Sequence, residues 1–97
     1  MNKKQQAIAN VQKDARSFID SGKWYNVESS NVLMIKYNKA LRILSVRFKG
    51  VSQGIKKPIY HYKNVPPQVA GGMIVAGSKG KFVWARLRDR YDFDGPV

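Results

Sequence analysis

The sequence predicts an α+β fold: a three-stranded antiparallel meander, two helices after it and one amphipathic helix before it. Three observations carry this expectation. Apolar residues recur at three- and four-residue steps up to residue 21, alternate between residues 32 and 63, and return to helical spacing after Pro66. The chain has 97 residues, room for one core and not two. It has no cysteine, so neither a disulfide framework nor a thiolate metal site holds it together.

The first helix is expected over residues 2–21, within an N-terminal unit of 1–22. Ile8, Val11, Ala15, Phe18 and Ile19 fall on one face, and Gln5, Gln12, Lys13 and Arg16 on the other. Asn2 suits the N-cap and Gly22 the stop. The apolar stripe has to bury against the domain, a partner helix or a membrane surface. Asp14 and Asp20 dilute the basic face that a membrane-surface helix uses, which favours the domain.

Lys23–Ser30 reads as a linker carrying Trp24 and Tyr25. Val32–Tyr37 is rich in strand formers, and Asn38-Lys39 turns the chain. Leu44, Val46 and Phe48 alternate with Ser45, Arg47 and Lys49, the pattern of a half-buried strand. Gly50–Lys57 reads as a long loop with a Lys56-Lys57 pair, and Pro58–Lys63 as the third strand. Pro66-Pro67 suits a first helical turn, where a missing N–H costs nothing. Gly71-Gly72 weakens that helix by about 1 kcal/mol per glycine relative to alanine. Gly77 ends it, and Ser78 caps a last helix over Lys79–Arg88. Asp89–Val97 reads as a mixed tail with a Gly95-Pro96 breaker, and 94–97 as the tail beyond the domain.

Charge dominates the composition. Eighteen lysines and arginines against six acids give +12, well beyond the magnitude of about 2–8 that keeps a small domain soluble. From Ser29 to Arg88 there is no acid, and twelve bases are spread through that stretch rather than blocked. A field of this sign draws polyanions: nucleic acid first, an anionic membrane second, an acidic protein third. A single histidine, His61, excludes a multi-histidine metal site and leaves a general base without a nucleophile or acid close in sequence. Asp89, Asp92 and Asp94 stand among bases and are expected to pair with Arg88 and Arg90. A non-enzymatic protein with no cofactor, no metal and no membrane partner is therefore expected, in the cytoplasm.

Residues 27–93 resemble the KTSC domain, a family of about 60 residues. It is named for its place at the C-terminus of some lysyl-tRNA synthetases, and it also stands alone in bacteria and phages. The matching pieces run in order: Ser29-Ser30-Asn31, Tyr37-Asn38, Leu44-x-Val46-x-Phe48, Tyr60-His61-Tyr62, Val65-Pro66-Pro67-x-Val69, Ser78-Lys79-Gly80-Lys81-Phe82 and Arg90-Tyr91. Three features depart from the family. The Gly50–Lys57 loop is longer and more basic, Trp84 stands where asparagine is common, and the N-terminal helix lies outside the domain. The synthetase context implies RNA binding.

The expected contact surface is Lys56 and Lys57 of the loop with Lys79, Lys81, Arg86, Arg88 and Arg90 of the last helix, beside the stacking ring of Trp84. Guanidinium groups suit bidentate phosphate contacts, and a glycine-flanked turn feeding a helix start favours an anion. A secondary candidate is the sheet face with Arg47, Lys49, His61 and Lys63, set with Ile43 and Ile59 and open to cover by the N-terminal helix. Tyr60 and Tyr62 share the other face. They serve either as core or as a base-stacking platform, and a core this small favours the first. The function expected is nucleic-acid binding, RNA over DNA, mainly through phosphates. The alternative is a protein-interaction module, such as a phage-encoded inhibitor docking on an acidic host protein.

Overall fold

The computed structural model describes residues 14–97. Helix α1 covers residues 14–21 and stops at Gly22, whose φ of +67° suits glycine. The expected cap at Asn2 and the stripe residues Ile8 and Val11 lie outside the described residues. Then follow β1 (Tyr25–Asn26), β2 (Val32–Asn38), β3 (Ile43–Phe48), β4 (Val51–Ser52), β5 (Ile55–Lys56), β6 (Ile59–Tyr62), α2 (Pro67–Val75), α3 (Lys79–Phe82) and β7 (Phe93–Asp94).

The fold is α+β, as expected, but the sheet is wider than a three-stranded meander. Five antiparallel strands run in the order β1-β2-β3-β6-β7, with the expected meander at the centre. Tyr25–Asn26 belongs to the sheet rather than to a linker. Residues 94–97 are not a free tail: Asp94 pairs with His61, and Val97 and Ile59 exchange both backbone hydrogen bonds at 3.0 Å. The expected loop over Gly50–Lys57 is a β4–β5 ribbon. Gln53 and Gly54 both have positive φ, 50° and 78°, which gives the tight two-residue turn that such a hairpin favours.

An extra residue in β2, between Val32 and Met34, shifts its register against β3. That shift puts Val32, three residues before Ile35, in the core with Ile35 and Tyr37. Leu44, Val46 and Tyr62 complete the buried sheet face. Against it pack Phe18 of α1, Ala70 and Met73 of α2, and Val83 and Leu87 beyond α3. The buried Tyr37 hydroxyl donates to Val65 O at 2.6 Å and ties β2 to the entry of α2.

The last helix is not one α-helix over Lys79–Arg88. After α3, residues Val83–Leu87 form a π-helical turn, closed by Arg88 N donating to Val83 O at 2.9 Å. The i→i+5 spacing widens the helix there, and such turns recur at functional sites. Gly71 is a point of approach as well as a weak helix former, since a Cβ there would stand 3.2 Å from Ile19 Cδ1. Residues 14–21 thus lie on the helical side, and the opposite sheet face is not covered by them. Among the described residues no helix is long and apolar enough to cross a membrane.

Candidate nucleic-acid interface

The ribbon and the last helix stand on either side of a cleft of about 540 Å³. The sheet contributes Phe48, Tyr60 and Tyr62, and β7 adds Phe93. These rings touch in sequence around the cleft: Phe48–Tyr60 at 5.5 Å, Tyr60–Tyr62 at 6.5 Å and Tyr60–Phe93 at 5.5 Å between centroids. The ribbon supplies Val51, Ser52 and Gln53, and the helical side supplies Val83, Trp84 and Arg88. Ser52 Oγ and the Tyr60 hydroxyl share a hydrogen bond of 2.9 Å, which fastens the ribbon to β6. Trp84 is 66% exposed, and the Arg88 guanidinium stands 3.9 Å over its ring, a cation–π contact across the π turn. Among the described residues no acid lines the cleft.

The tyrosine pair divides. Tyr62 is core, 3% exposed, and burial pushes its hydroxyl up to about 12, with neighbouring Tyr60 adding and Arg88 opposing. Tyr60 is half-buried and faces both the core and the cleft.

The expected cations fall into three groups. Lys56, Lys57, Lys81, Arg86, Arg88 and Arg90 are exposed, on the ribbon, α3 and the turn that follows. Arg88 alone of these lines the cleft; Arg88 and Arg90 also line a shallower hollow with Lys63, Asp89 and Asp92. Lys79 does not belong with them. Its ammonium turns inward, donating to Ile74 O at 2.9 Å and to Ala76 O, where it serves the unpaired carbonyls at the end of α2. Burial draws its pKa below the usual lysine value. A glycine-flanked turn that reads as a phosphate cradle is therefore an interhelical clamp as far as Lys79 is concerned, while the Ser78 hydroxyl caps α3 by accepting from Lys81 N.

The secondary face is a row of side chains across the sheet, Lys36, Ser45, His61 and Asp94, with Arg47 and Lys63 beside it. Lys63 pairs with Asp94 at 3.1 Å, so that acid reaches neither Arg88 nor Arg90. Arg47 Nε donates to Lys57 O at 3.1 Å. Lys49 leaves this face for the cleft, its ammonium donating to Ser29 O at 2.6 Å. His61 gains what its sequence neighbourhood lacks. Strand pairing sets Ser45 Oγ 2.6 Å from its Nδ1 and Asp94 opposite it. Ser45 is only 2% exposed, so its hydroxyl is sealed from any substrate.

Sequence reasoning missed the cleft itself. Phe93 read as part of the chain's end and Val51 as loop, and only the Gln53-Gly54 turn between Val51 and Ile55 signalled a ribbon.

Comparison with known proteins agrees with this architecture. A protein of Tsukamurella paurometabola is 35% identical over 65 residues, covering 67% of this chain and 88% of that relative. The crystal structure of a KTSC domain protein from Yersinia pestis superposes with a TM-score of 0.64 at 28% identity, covering 74% of this chain and 93% of the other. The KTSC domain family model matches residues 28–91, two thirds of the chain and every sheet strand except β1 and β7, and the chain belongs to the KTSC domain family.

Proposed function

We propose that this chain is a small, non-enzymatic, cytoplasmic RNA-binding protein that holds its ligand mainly through phosphates. One observation carries the reading. Lys56, Lys57, Lys81, Arg86, Arg88 and Arg90 are all exposed, and among the described residues none of them is in an ion pair. They sit on the two elements that flank one cleft, so a strand crossing it meets bases from both sides. The family's occurrence beside lysyl-tRNA synthetase domains favours RNA over DNA. The sealed Ser45 hydroxyl favours binding over chemistry at His61.

Phosphate contacts release counterions, so log K should fall with log salt by about 0.7–0.9 per contacted phosphate. Gel-shift titrations of single-stranded RNA, duplex RNA and duplex DNA at several salt concentrations test this. Replacing Arg86 and Arg88 together by glutamine should weaken all sequences alike and flatten the slope by about 1–2 units. Absence of binding to every one of these ligands below about 100 μM, weaker than ordinary non-specific binding, would overturn the reading. Docking on an acidic protein would then come first. The apolar rim of Val51, Trp84 and Phe93 beside the cations fits that second partner class.

A further inference from the structure

We propose that the cleft between the β4–β5 ribbon and the π turn receives one unpaired base of the RNA strand. The base stacks on the Trp84 indole, and its phosphate rests on Arg88. This deepens the RNA-binding reading and rests on it.

Four features of the cleft fit this occupant. Its volume of about 540 Å³ lies within the range of small-molecule sites, about 300–1,000 Å³, and admits a base with its ribose. Its wall is aromatic: Trp84, Tyr60 and Phe93 offer π surfaces, and every base has a π face to set against them. Its charge is one-signed, with Arg88 and Lys49 present and no acid among the described residues, which complements a phosphodiester. Finally, two exposed residues with carboxamide side chains, Asn31 and Gln53, line it. An amide, donor and acceptor at once, is the group that reads a base edge.

A paired base has both faces stacked and its Watson–Crick edge occupied, so only a single strand, a loop or a bulge delivers a base to this depth. An extended peptide is the competing occupant. Strand addition needs a free sheet edge long enough to pair, and the edge strands beside the cleft, β4 and β7, are only two residues each.

The π turn carries both groups. Trp84 and Arg88, four residues apart, are neighbours on one side of it, and the guanidinium lies 3.9 Å over the ring centre, so ring and cation are held as one unit before a ligand arrives.

The test uses the full chain with Trp24→Phe, leaving Trp84 as its one tryptophan. Eight-nucleotide oligo(U) and oligo(A) strands and an abasic ribose-phosphate strand of equal length are titrated while indole emission is followed. The base-bearing strands should quench Trp84 and bind about 5- to 150-fold more tightly than the abasic strand, the stacking of one base. Trp84→Ala, a change at an exposed ring that leaves the core intact, should erase this difference in gel-shift titrations, which need no indole, while abasic binding stays. Trp84→Phe should restore part of it. Equal affinity for abasic and base-bearing strands, with no quenching and a normal salt slope, would overturn the cleft proposal and leave phosphate binding standing. No binding of either strand, with tight capture of an acidic aromatic peptide, would overturn both.

Discussion

Tyr60 and Tyr62 are two residues apart on one strand and one face, yet each has its own surroundings, and single substitutions should separate them. Tyr62→Ala removes a ring from the closed core and should cost about 3–5 kcal/mol in urea unfolding. Tyr60→Ala should cost less, because that ring is half open to the cleft, but it also removes the bond to Ser52 that holds the ribbon. The Tyr62 hydroxyl gives a pH signature. Its folded pKa, about 12, lies above the ordinary value of 10.0, so the folded state keeps a proton that the unfolded chain sheds. Stability from this group is therefore complete below about pH 10 and falls as pH climbs toward 12. Tyr62→Phe should make the alkaline loss shallower, leaving the contribution of Tyr37, also raised by burial. An unchanged alkaline slope in denaturant titrations at several pH values would refute the assignment. Gly95 is the third sensitive position. Its φ is +131°, and a Cβ there would stand 2.5 Å from Ile59 O, so Gly95→Ala should loosen the last residues from β6, seen as faster amide exchange at Val97.

Among the elements, α1 tests whether the segment outside the family match belongs to the fold. Phe18 is 1% exposed and meets Tyr25 edge-on at 6.0 Å. Phe18→Ala should cost about 3–5 kcal/mol, and removing residues 1–21 should lower the melting temperature or drive aggregation. A soluble, equally stable 22–97 fragment would make this helix a partner-binding arm instead. The elements legible in the sequence were those long enough to show a period: α1, β2, β3, β6 and α2. The ones that were not legible have physical reasons. A two-residue strand such as β1 or β7 has no alternation to display, and its place comes from pairing with Ile35 or His61 far along the chain. The π turn keeps the same apolar residues, Val83 and Leu87, that an α-helix would bury, so spacing alone does not distinguish them. The candidate cations were legible because charge is counted without a fold. Lys79 misled because its carbonyl partners belong to the preceding helix, and the cleft was invisible because β4, β6, β7 and the π turn build it together.

For the molecule as a whole, a charge of +12 on 97 residues is a standing strain, since like charges on a compact body repel. Raising salt so that the Debye length falls from about 30 Å to about 8 Å should raise the melting temperature. Heparin or polyphosphate at low salt should raise it further, because a ligand of the folded state stabilises by mass action. A melting temperature indifferent to both would mean that the charges are already balanced within the fold.

The sheet also ends, at both rims, in strands of two residues, β1 and β7. Long open rims are templates on which a second chain can add. Here both edge strands are short, β1 shields β2 at Met34 and Ile35, and β7 with the Val97–Ile59 pairing closes the outer side of β6. The consequence is colloidal: the chain's resistance to fibrillar self-association depends on a few residues at its end. Truncation after Tyr91 would strip β7 and the Val97–Ile59 pairing, baring the Ile59–Tyr62 rim. That fragment should self-associate with rising concentration and bind thioflavin, whereas the intact chain should scatter little light at the same concentration. A truncated chain that stays dispersed would show that charge repulsion alone keeps these molecules apart.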